Sequence, residues 1–521
     1  MKASTCISTL LASVPLALAA FREGCPEASW DSDVDFWETK FESSESNPFA
    51  AEYNNTFVKI RNRQRRHILL HCTNEPPPES VTNGSLVVKV PVDSVEALDG
   101  FSQHLIEMLG MSHTIARVGP YDTVTSSCVR GRMRENVTYD EENWDKAPEA
   151  NVTLHGDVSQ RSDASRILII NNGQYAPLKQ LGYLKLVSML YGLEEEANSI
   201  YNAIASSYRC AASNINSLIV SEDYPQGAFL SAVEQDGSDF AAYQNEWWKV
   251  IASDAGVRLV NLTSDLESLS DEGTFGIPAS DGQSTFARES WAIIDTTQHN
   301  LGGLHDQADR LDLAAWKTAT NVANNAYAVR QEHVYLTDKQ TNRNRRHNFP
   351  DRGPARPDLV LRDVISFIMP SFDSAYETSF LRPATNPEDH APQRRISDNC
   401  AVTENAVNHL NITECELPAG TGGYHASGTV ADAYGHDSSE VQSLAVGGGS
   451  AGLSAGQKAG ISIGAIGGGL LLAGAAAWWF VRRKRAAKQA GPARFNGPMS
   501  INDAEKGPAA AAKSLSDTSS N

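Results

Sequence analysis

Two stretches of the sequence match enzyme motifs in spacing, and both fail on context. Gly448-Gly449-Ser450-Ala451-Gly452 fits the GxSxG nucleophile elbow, and Gly447, Gly449 and Gly452 fit the GxGxxG phosphate turn. Either chemistry needs a strand-to-helix junction, which aims a serine oxygen or a row of backbone N–H groups at the substrate. Here the glycines sit in a Gly- and Ser-rich stretch with no strand pattern before them, so no catalytic reading stands. Thirteen histidines are present without an HExxH motif, and His104 and His113 could meet only through tertiary structure. The cysteines have neither CxxC nor zinc-finger spacing, so no dedicated metal site is expected. Arg343, Arg345, Arg346 and His347 form a dense basic cluster, which suits either an anion contact or a solvated loop.

Charge distribution sets the topology that must carry these groups. The 521 residues include 44 Lys+Arg and 63 Asp+Glu, a net charge of −19, which argues against nucleic acid as a partner. Residues 1–20 read as a secretory signal peptide, with Lys2, an apolar stretch from Ile7 to Leu18 and Ala17-Leu18-Ala19 for cleavage. The uncharged segment 459–481 is about 35 Å long as a helix, enough to span a bilayer. Trp478 and Trp479 sit where an aromatic belt would, and Arg482-Arg483-Lys484-Arg485 follows on the side retained in the cytoplasm. Residues 21–481 carry −25 and the tail after Val481 carries +5. The expectation is a single-pass plasma-membrane or other secretory-pathway membrane protein with its N-terminal part extracellular or lumenal.

Six sequons, at Asn54, Asn83, Asn136, Asn151, Asn261 and Asn411, all fall in that exterior part and are expected to be glycosylated. Cys6 leaves with the signal, so Cys25, Cys72, Cys128, Cys210, Cys400 and Cys415 remain as disulfide candidates. Six thiols allow fifteen pairings; Cys400 and Cys415 close a short loop and are the favoured pair. Gly460, Gly464 and Gly468 repeat as GxxxGxxxG within the span, a spacing that lets two helices approach closely and predicts a dimer. Dibasic pairs at Arg65-Arg66, Arg345-Arg346 and Arg394-Arg395 would suit processing proteases if exposed.

The exterior part alternates strand and helix patterns. Phe57–Ile60 and His67–Cys72 flank a charged tip and read as a hairpin; Leu86–Val92 is strand-like, with Pro91 ending the pairing. Phe101–Leu109 reads as a short helix and Arg166–Ile170 as a strand buried on both faces. Leu178, Leu181, Leu184, Val187 and Leu190 recur at helical spacing up to Gly192, and Glu194-Glu195-Glu196 opens a second helix. Ser217–Val220, Gly227–Val233, Trp291–Asp295 and His333–Leu336 read as strands, Glu246–Ala255 and Pro357–Met369 as helices. This grammar gives an α/β class.

The arrangement resembles the periplasmic-binding-protein-like superfamily, in its class that captures ferric siderophores, cobalamin or metal ions. It looks most like the eukaryotic, membrane-anchored branch of fungi and algae. Phe49–Thr73 is similar to that branch's amino-terminal pattern, and Val90–Ser127 to its first β-α-β unit. Leu181–Tyr208 resembles the long inter-lobe helix with the helix after it. Trp248–Gly256, Trp291–Asp295, His333–Lys339 and Pro357–Pro370 resemble successive pieces of the second lobe.

The resemblance implies two α/β lobes joined by a long inter-lobe helix, as in class III of the superfamily, plus one C-terminal transmembrane helix. The segments are a signal peptide (1–20), an N-terminal appendage with a hairpin (21–85), a first lobe (86–176) and an inter-lobe helical region (177–210). A second lobe (211–384), a stalk (385–457), the span (459–481) and a disordered cytoplasmic tail (482–521) complete the chain. A siderophore or corrinoid cleft would use aromatics and arginines, which nominates Tyr121, Tyr243, Trp247, Trp248, His299, Arg343 and Arg345. The function implied is a non-catalytic surface receptor for a small iron chelate, a corrinoid or a metal ion, with no cofactor. A surface sensor or adhesion protein that kept the fold and lost its solute is the alternative.

Overall fold

The computed structural model describes residues 29–30, 33–41, 47–61, 67–133, 150–156, 166–218, 229–236, 239–260, 268–270, 274–277, 290–298, 311–322, 326–342, 344–370, 372–373, 375–385 and 394–395. The described chain begins with a four-stranded sheet of β1 (Ala50–Tyr53), β2 (Phe57–Arg61), β3 (Ile68–His71) and β4 (Leu86–Lys89), with α1 (Glu79–Thr82) between the last two. The expected hairpin is β2 against β3, antiparallel. It is not an appendage. Every residue of β3 is buried, and β3 pairs in parallel with β4, across the boundary expected at residue 85. Phe36, Trp37, Phe41 and Phe49 lie in the same hydrophobic cluster as Phe101 and Leu105. β3 is buried along its whole length between β2 and β4, so the described residues of 33–90 belong to the first core.

A second sheet continues that core: β5 (Val95–Ala97), α2 (Gly100–Met108), β6 (Ile115–Val118), α3 (Ser127–Arg132), β7 (Val152–His155) and β8 (Arg166–Leu168). Its strands are all parallel, in the order β6-β5-β7-β8. Strand order therefore reverses between β5 and β7, and the crevice beyond their carboxyl ends is where such sheets bind ligands.

Next come α4 (Pro177–Leu181) and α5 (Tyr183–Met189), then α6 (Glu194–Leu218) after Gly192 in the left-handed region at φ +66°. At 25 residues, α6 is about 37 Å long. Its Ala197, Ile200 and Ile204 belong to the first core, its Tyr208, Ala211 and Ile215 to the second. The long helix with buried residues in both cores is thus α6; α5 packs within the first, and Leu178 of α4 packs against both. The strand expected from Ser217 does not begin there: the apolar stripe of Tyr208, Ala211 and Ile215 keeps helical spacing, and Ser217 and Leu218 stay in α6.

The second core is built on an eight-stranded mixed sheet. In chain order come β9 (Phe229–Asp236), β10 (Asp239–Tyr243), α7 (Glu246–Asp254), β11 (Arg258–Leu259), β12 (Ser268–Ser270), β13 (Thr274–Ile277) and β14 (Ala292–Asp295). Then follow α8 (Leu313–Thr320), α9 (Tyr327–Arg330), β15 (Val334–Leu336), β16 (Gln340–Thr341), α10 (Phe349–Arg352), α11 (Pro357–Ile368), β17 (Arg382–Pro383) and β18 (Arg394–Arg395). The order is β12-β13-β10-β9-β14-β15-β17, with β11 beside β9. Alternation along the strands covers both faces. Ala292, Ile294 and Tyr335 join Trp248 and Val364 on one side; Ile293, Val334 and Leu336 join Trp316 and Val329 on the other.

Residues 394–395, expected in the stalk, instead form β18 and pair in parallel with β16. Cys72, Cys128 and Cys210 are disulfide-bonded, an odd number, so at least one bonds a cysteine outside the described residues. Cys25, Cys400 and Cys415 lie outside them, as do Asn136, Asn261 and Asn411. Asn83 and Asn151 are exposed and Asn54 half-buried. Asn151 Oδ1 accepts from the Asp93 and Ser94 backbone N–H groups, at 3.1 and 3.0 Å, which leaves the Nδ2 that a glycan would use. Among the described residues no helix is long and apolar enough to cross a membrane; the segment 459–481 lies outside them.

Candidate binding cavity

The site is assembled from the carboxyl ends of strands in both cores. After β8, the run Asn171-Asn172-Gly173 turns the chain at the rim of the first core. Gly173 has φ +80°, and a Cβ there would lie 2.1 Å from Asn245 Nδ2. That close approach has a purpose in α7: Asn245 is its N-cap, with Oδ1 accepting from Trp248 N at 3.0 Å. Trp247 N in turn donates to the Gly173 carbonyl at 3.0 Å. The turn and the helix start thereby fix the indoles, which meet edge-to-face at 5.0 Å with Phe349 against both.

These groups line a cavity of about 260 Å³. Tyr243, Trp247, Trp248 and Phe349 supply aromatic wall, and Thr296 and Gln298, after β14, close one side. Among the described residues lining it, Arg346 alone carries charge. The Trp247 indole N–H, Gln298 Nε2 and Arg346 Nε are buried donors with no hydrogen-bond partner. The lining therefore combines one cationic residue, the side-chain amides of Asn171, Asn172, Asn245 and Gln298, and four aromatic rings. The fitting occupant is an acceptor-rich, anionic group with a planar or apolar part.

A second cavity, of about 450 Å³, lies at the strand-order reversal of the parallel sheet, against Leu98–Phe101, His155, Gly156 and Asn171. Asp351 of α10 projects into it. Asp99, the N-cap of α2, accepts from Ser102 N and Oγ at 2.9 and 2.7 Å. Burial, followed by the nearby Asp351, pushes its carboxyl up to about 6. Burial also raises Asp351. Glu107 behaves oppositely: burial would raise it, but the His104 hydrogen bond and charge hold it at about 2.

Four polar side chains bridge the halves around these cavities. Asn342 Nδ2 donates to the Asp122 and Val124 carbonyls at 2.8 and 3.0 Å. Thr125 Oγ1 donates to Asp351 Oδ2 at 2.7 Å, and Asn171 Nδ2 to the Pro350 carbonyl at 3.0 Å. Asn348 Nδ2 donates to Gln340 Oε1, which leaves Asn348 Oδ1 to accept from His104 Nε2 at 3.0 Å.

Of the residues nominated from sequence, Tyr243, Trp247 and Trp248 stand on the cavity wall, the two indoles only 5 and 4% exposed. Tyr121 does not line either cavity. Its ring lies 4.8 Å from the buried Arg130 guanidinium, and its hydroxyl accepts from Arg130 Nη2 at 3.3 Å, a structural contact. Arg345 is exposed in the left-handed region at φ +63°, and its neighbour Arg346 takes the place at the cavity. His299 and Arg343 lie outside the described residues. Asn171, Asn245, Gln298 and Asp351 escaped sequence reasoning; an Asn-Asn-Gly turn closing an apolar strand was the one available signal. His67 precedes β3 and His71 is its last residue, a spacing of about 13 Å along a strand. Among the described residues no group of three or more His, Cys, Asp or Glu is placed to hold a metal ion.

No family model matches the chain, and no curated protein matches it. Solved structures do. A ferrichrome-transporter binding component of the FhuD fold family from Bacillus subtilis is 12% identical over 53% of this chain and 97% of its own, with a TM-score of 0.34. FhuD2 from Staphylococcus aureus with bound ferrioxamine B is 13% identical, covers 53% and 99%, and has a TM-score of 0.36. A periplasmic binding protein from Veillonella parvula is 8% identical, covers 62% and 97%, and has a TM-score of 0.39. With TM-scores below 0.5, the function of this chain has to be read from its own residues.

Proposed function

We propose that the exterior part is a non-catalytic receptor that binds a small acceptor-rich chelate, of ferric-siderophore or corrinoid type, in the cavity between the two cores. One observation carries this reading: Arg346, the one charged residue among the described lining, stands on a cavity walled by four aromatic rings. The sequence resemblance supports the same class of solute. In this proposal a single span at 459–481 anchors the protein, the sequons carry glycans, and Gly460, Gly464 and Gly468 pair two copies in the membrane. Dimerisation that survives Gly464→Ile in a membrane self-association assay would remove that last element.

The test is binding of the purified full-length protein to ferrichrome-type hydroxamates, heme and cobalamin. Removing the charge with Arg346→Gln should weaken a bound chelate by roughly 10- to 100-fold, the size of a charge-assisted hydrogen bond. Affinity unchanged in Arg346→Gln would refute this placement of the ligand.

The alternative, a surface sensor or adhesion protein without a solute, is favoured by the cavity's size. About 260 Å³ is below the roughly 300–1,000 Å³ of ordinary ligand pockets, and side-chain bridges hold the halves around it. No binding across the panel at any pH would favour that reading.

A further inference from the structure

The cavity beside α7 is small, and its walls are of two kinds. At about 260 Å³ it has room for on the order of ten non-hydrogen atoms, which is one ring with its substituents. The aromatic wall forms a corner. The Trp248 and Phe349 rings lie 6.0 Å apart and 30° from parallel, and the Trp247 ring stands at 82° to each of them. A flat ring set into that corner meets one wall face-on and the other edge-on, the two geometries that aromatic pairs prefer.

The polar wall favours an anion. Arg346 carries the one charge on the described lining and forms no salt bridge among the described residues. The start of α7, at Asn245, adds the partial positive charge of a helix N-terminus. Gln298 Oε1 accepts from His347 N at 3.0 Å and Asn172 Oδ1 from Gln174 N at 3.3 Å, so what both amides still have to offer is a donor. The acids nearby are placed elsewhere. Asp99 and Asp351 line the second cavity, where Asp351 accepts from Thr125, and Glu246 is exposed and off the lining.

We propose that this cavity seats a single planar aryl acid, with its ring in the corner of Trp247, Trp248 and Phe349 and its carboxylate on Arg346. A guanidinium matches a carboxylate in shape as well as in charge, and the corner selects flat rings over puckered ones. The same chemistry can arrive as a free acid or as one arm of a ferric chelate whose remainder stays outside. The inference rests on reading the cavity as the solute site and names the class of group that enters it.

Isothermal titration of the full-length protein with benzoate, cyclohexanecarboxylate and benzamide tests it. Benzoate should bind with a Kd below about 1 mM, as expected for a ligand of this size. Cyclohexanecarboxylate keeps the charge and loses the flat ring; benzamide keeps the ring and loses the charge. Each should bind at least about tenfold more weakly. Arg346→Gln should weaken benzoate by about 10- to 100-fold and leave benzamide unchanged. Equal weakening of both would overturn the pairing with Arg346. If that variant misfolds, the wild-type series decides alone: no benzoate binding at about 1 mM, or cyclohexanecarboxylate within about threefold of benzoate, overturns the proposal. Titration of 2,3-dihydroxybenzoate, free and as its ferric tris complex, separates the two sources. Tighter binding of the complex shows the ring entering as a chelate arm, and equal or weaker binding shows the free acid as the ligand. Trihydroxamate binding without benzoate binding overturns the aryl-acid site and leaves the chelate receptor standing; benzoate binding without any chelate does the reverse.

Discussion

Replacing Gly173 with alanine should destabilise the protein by about 2–3 kcal/mol, through two separable effects. The first is backbone strain: at φ +80° an L side chain costs about 1–2 kcal/mol. The second is the collision of the new methyl group with the Asn245 amide, 2.1 Å away, which forces the N-cap of α7 out of place. A lost Asn cap costs about 1 kcal/mol. Because Trp247 N donates to the Gly173 carbonyl, the indoles move with the cap, and tryptophan fluorescence reports the transition. In urea, with a slope of about 2–3 kcal/mol/M, the midpoint should fall by about 1 M. The decisive comparison is Gly173→Ala in an Asn245→Gly background. Glycine caps nearly as well and has no amide to strike, so only the strain of about 1–2 kcal/mol should remain. Equal losses in the two backgrounds would refute the collision, and a loss below about 0.5 kcal/mol would refute the strained turn as well.

Two further expectations concern stability away from the cavity. Burial, then the charge of Lys89, lowers His71 to about 4, so the folded protein holds it neutral with Nδ1 at 3.0 Å from Thr73 Oγ1. Its contribution to stability is therefore present above its ordinary value of 6.5 and is lost as pH falls towards 4. His71→Gln should flatten the stability-versus-pH curve between pH 6.5 and 4, and an unchanged slope in denaturant titrations would exclude His71 as its source. Arg382 pairs with Asp338 at 2.6 and 2.7 Å and donates to the Leu311 carbonyl at 3.1 Å, all buried. Arg382→Met takes the buried guanidinium away from Asp338 and should cost about 3–5 kcal/mol, whereas Arg382→Met with Asp338→Leu should recover much of it. Thermal unfolding of the single and double variants checks both.

Local signals in the sequence were strong where one element explains itself. The helix α7 is announced by Glu246 at its start and Gly256 beyond its end, and its observed span lies between them. The start of α6 at three glutamates and the buried strand β8 read equally directly. What stayed hidden depends on contacts between distant parts of the chain. The strands β12 and β13 are three and four residues long and gain their pairing only beside β10, so no periodicity marks them. That β3 is an interior strand follows from its partner β4, which lies across a helix and a proline-rich loop. In the basic cluster, composition nominated Arg345 and Arg343, but the left-handed turn at Arg345 hands the cavity position to Arg346. Asp99 and Asp351 are separated by most of the folded chain, and neither is unusual in its own neighbourhood.

The two-residue ladder between β16 and β18 has a mechanical side. Gln340 pairs with Arg394 and Thr341 with Arg395, and Asn342, which donates to the Asp122 and Val124 carbonyls of the first core, follows at once. Separating β18 from β16 therefore breaks a pairing only two residues long, directly before a residue that bridges to the first core. Under the proposed anchoring at 459–481, this ladder is the described pairing that lies nearest the membrane along the chain.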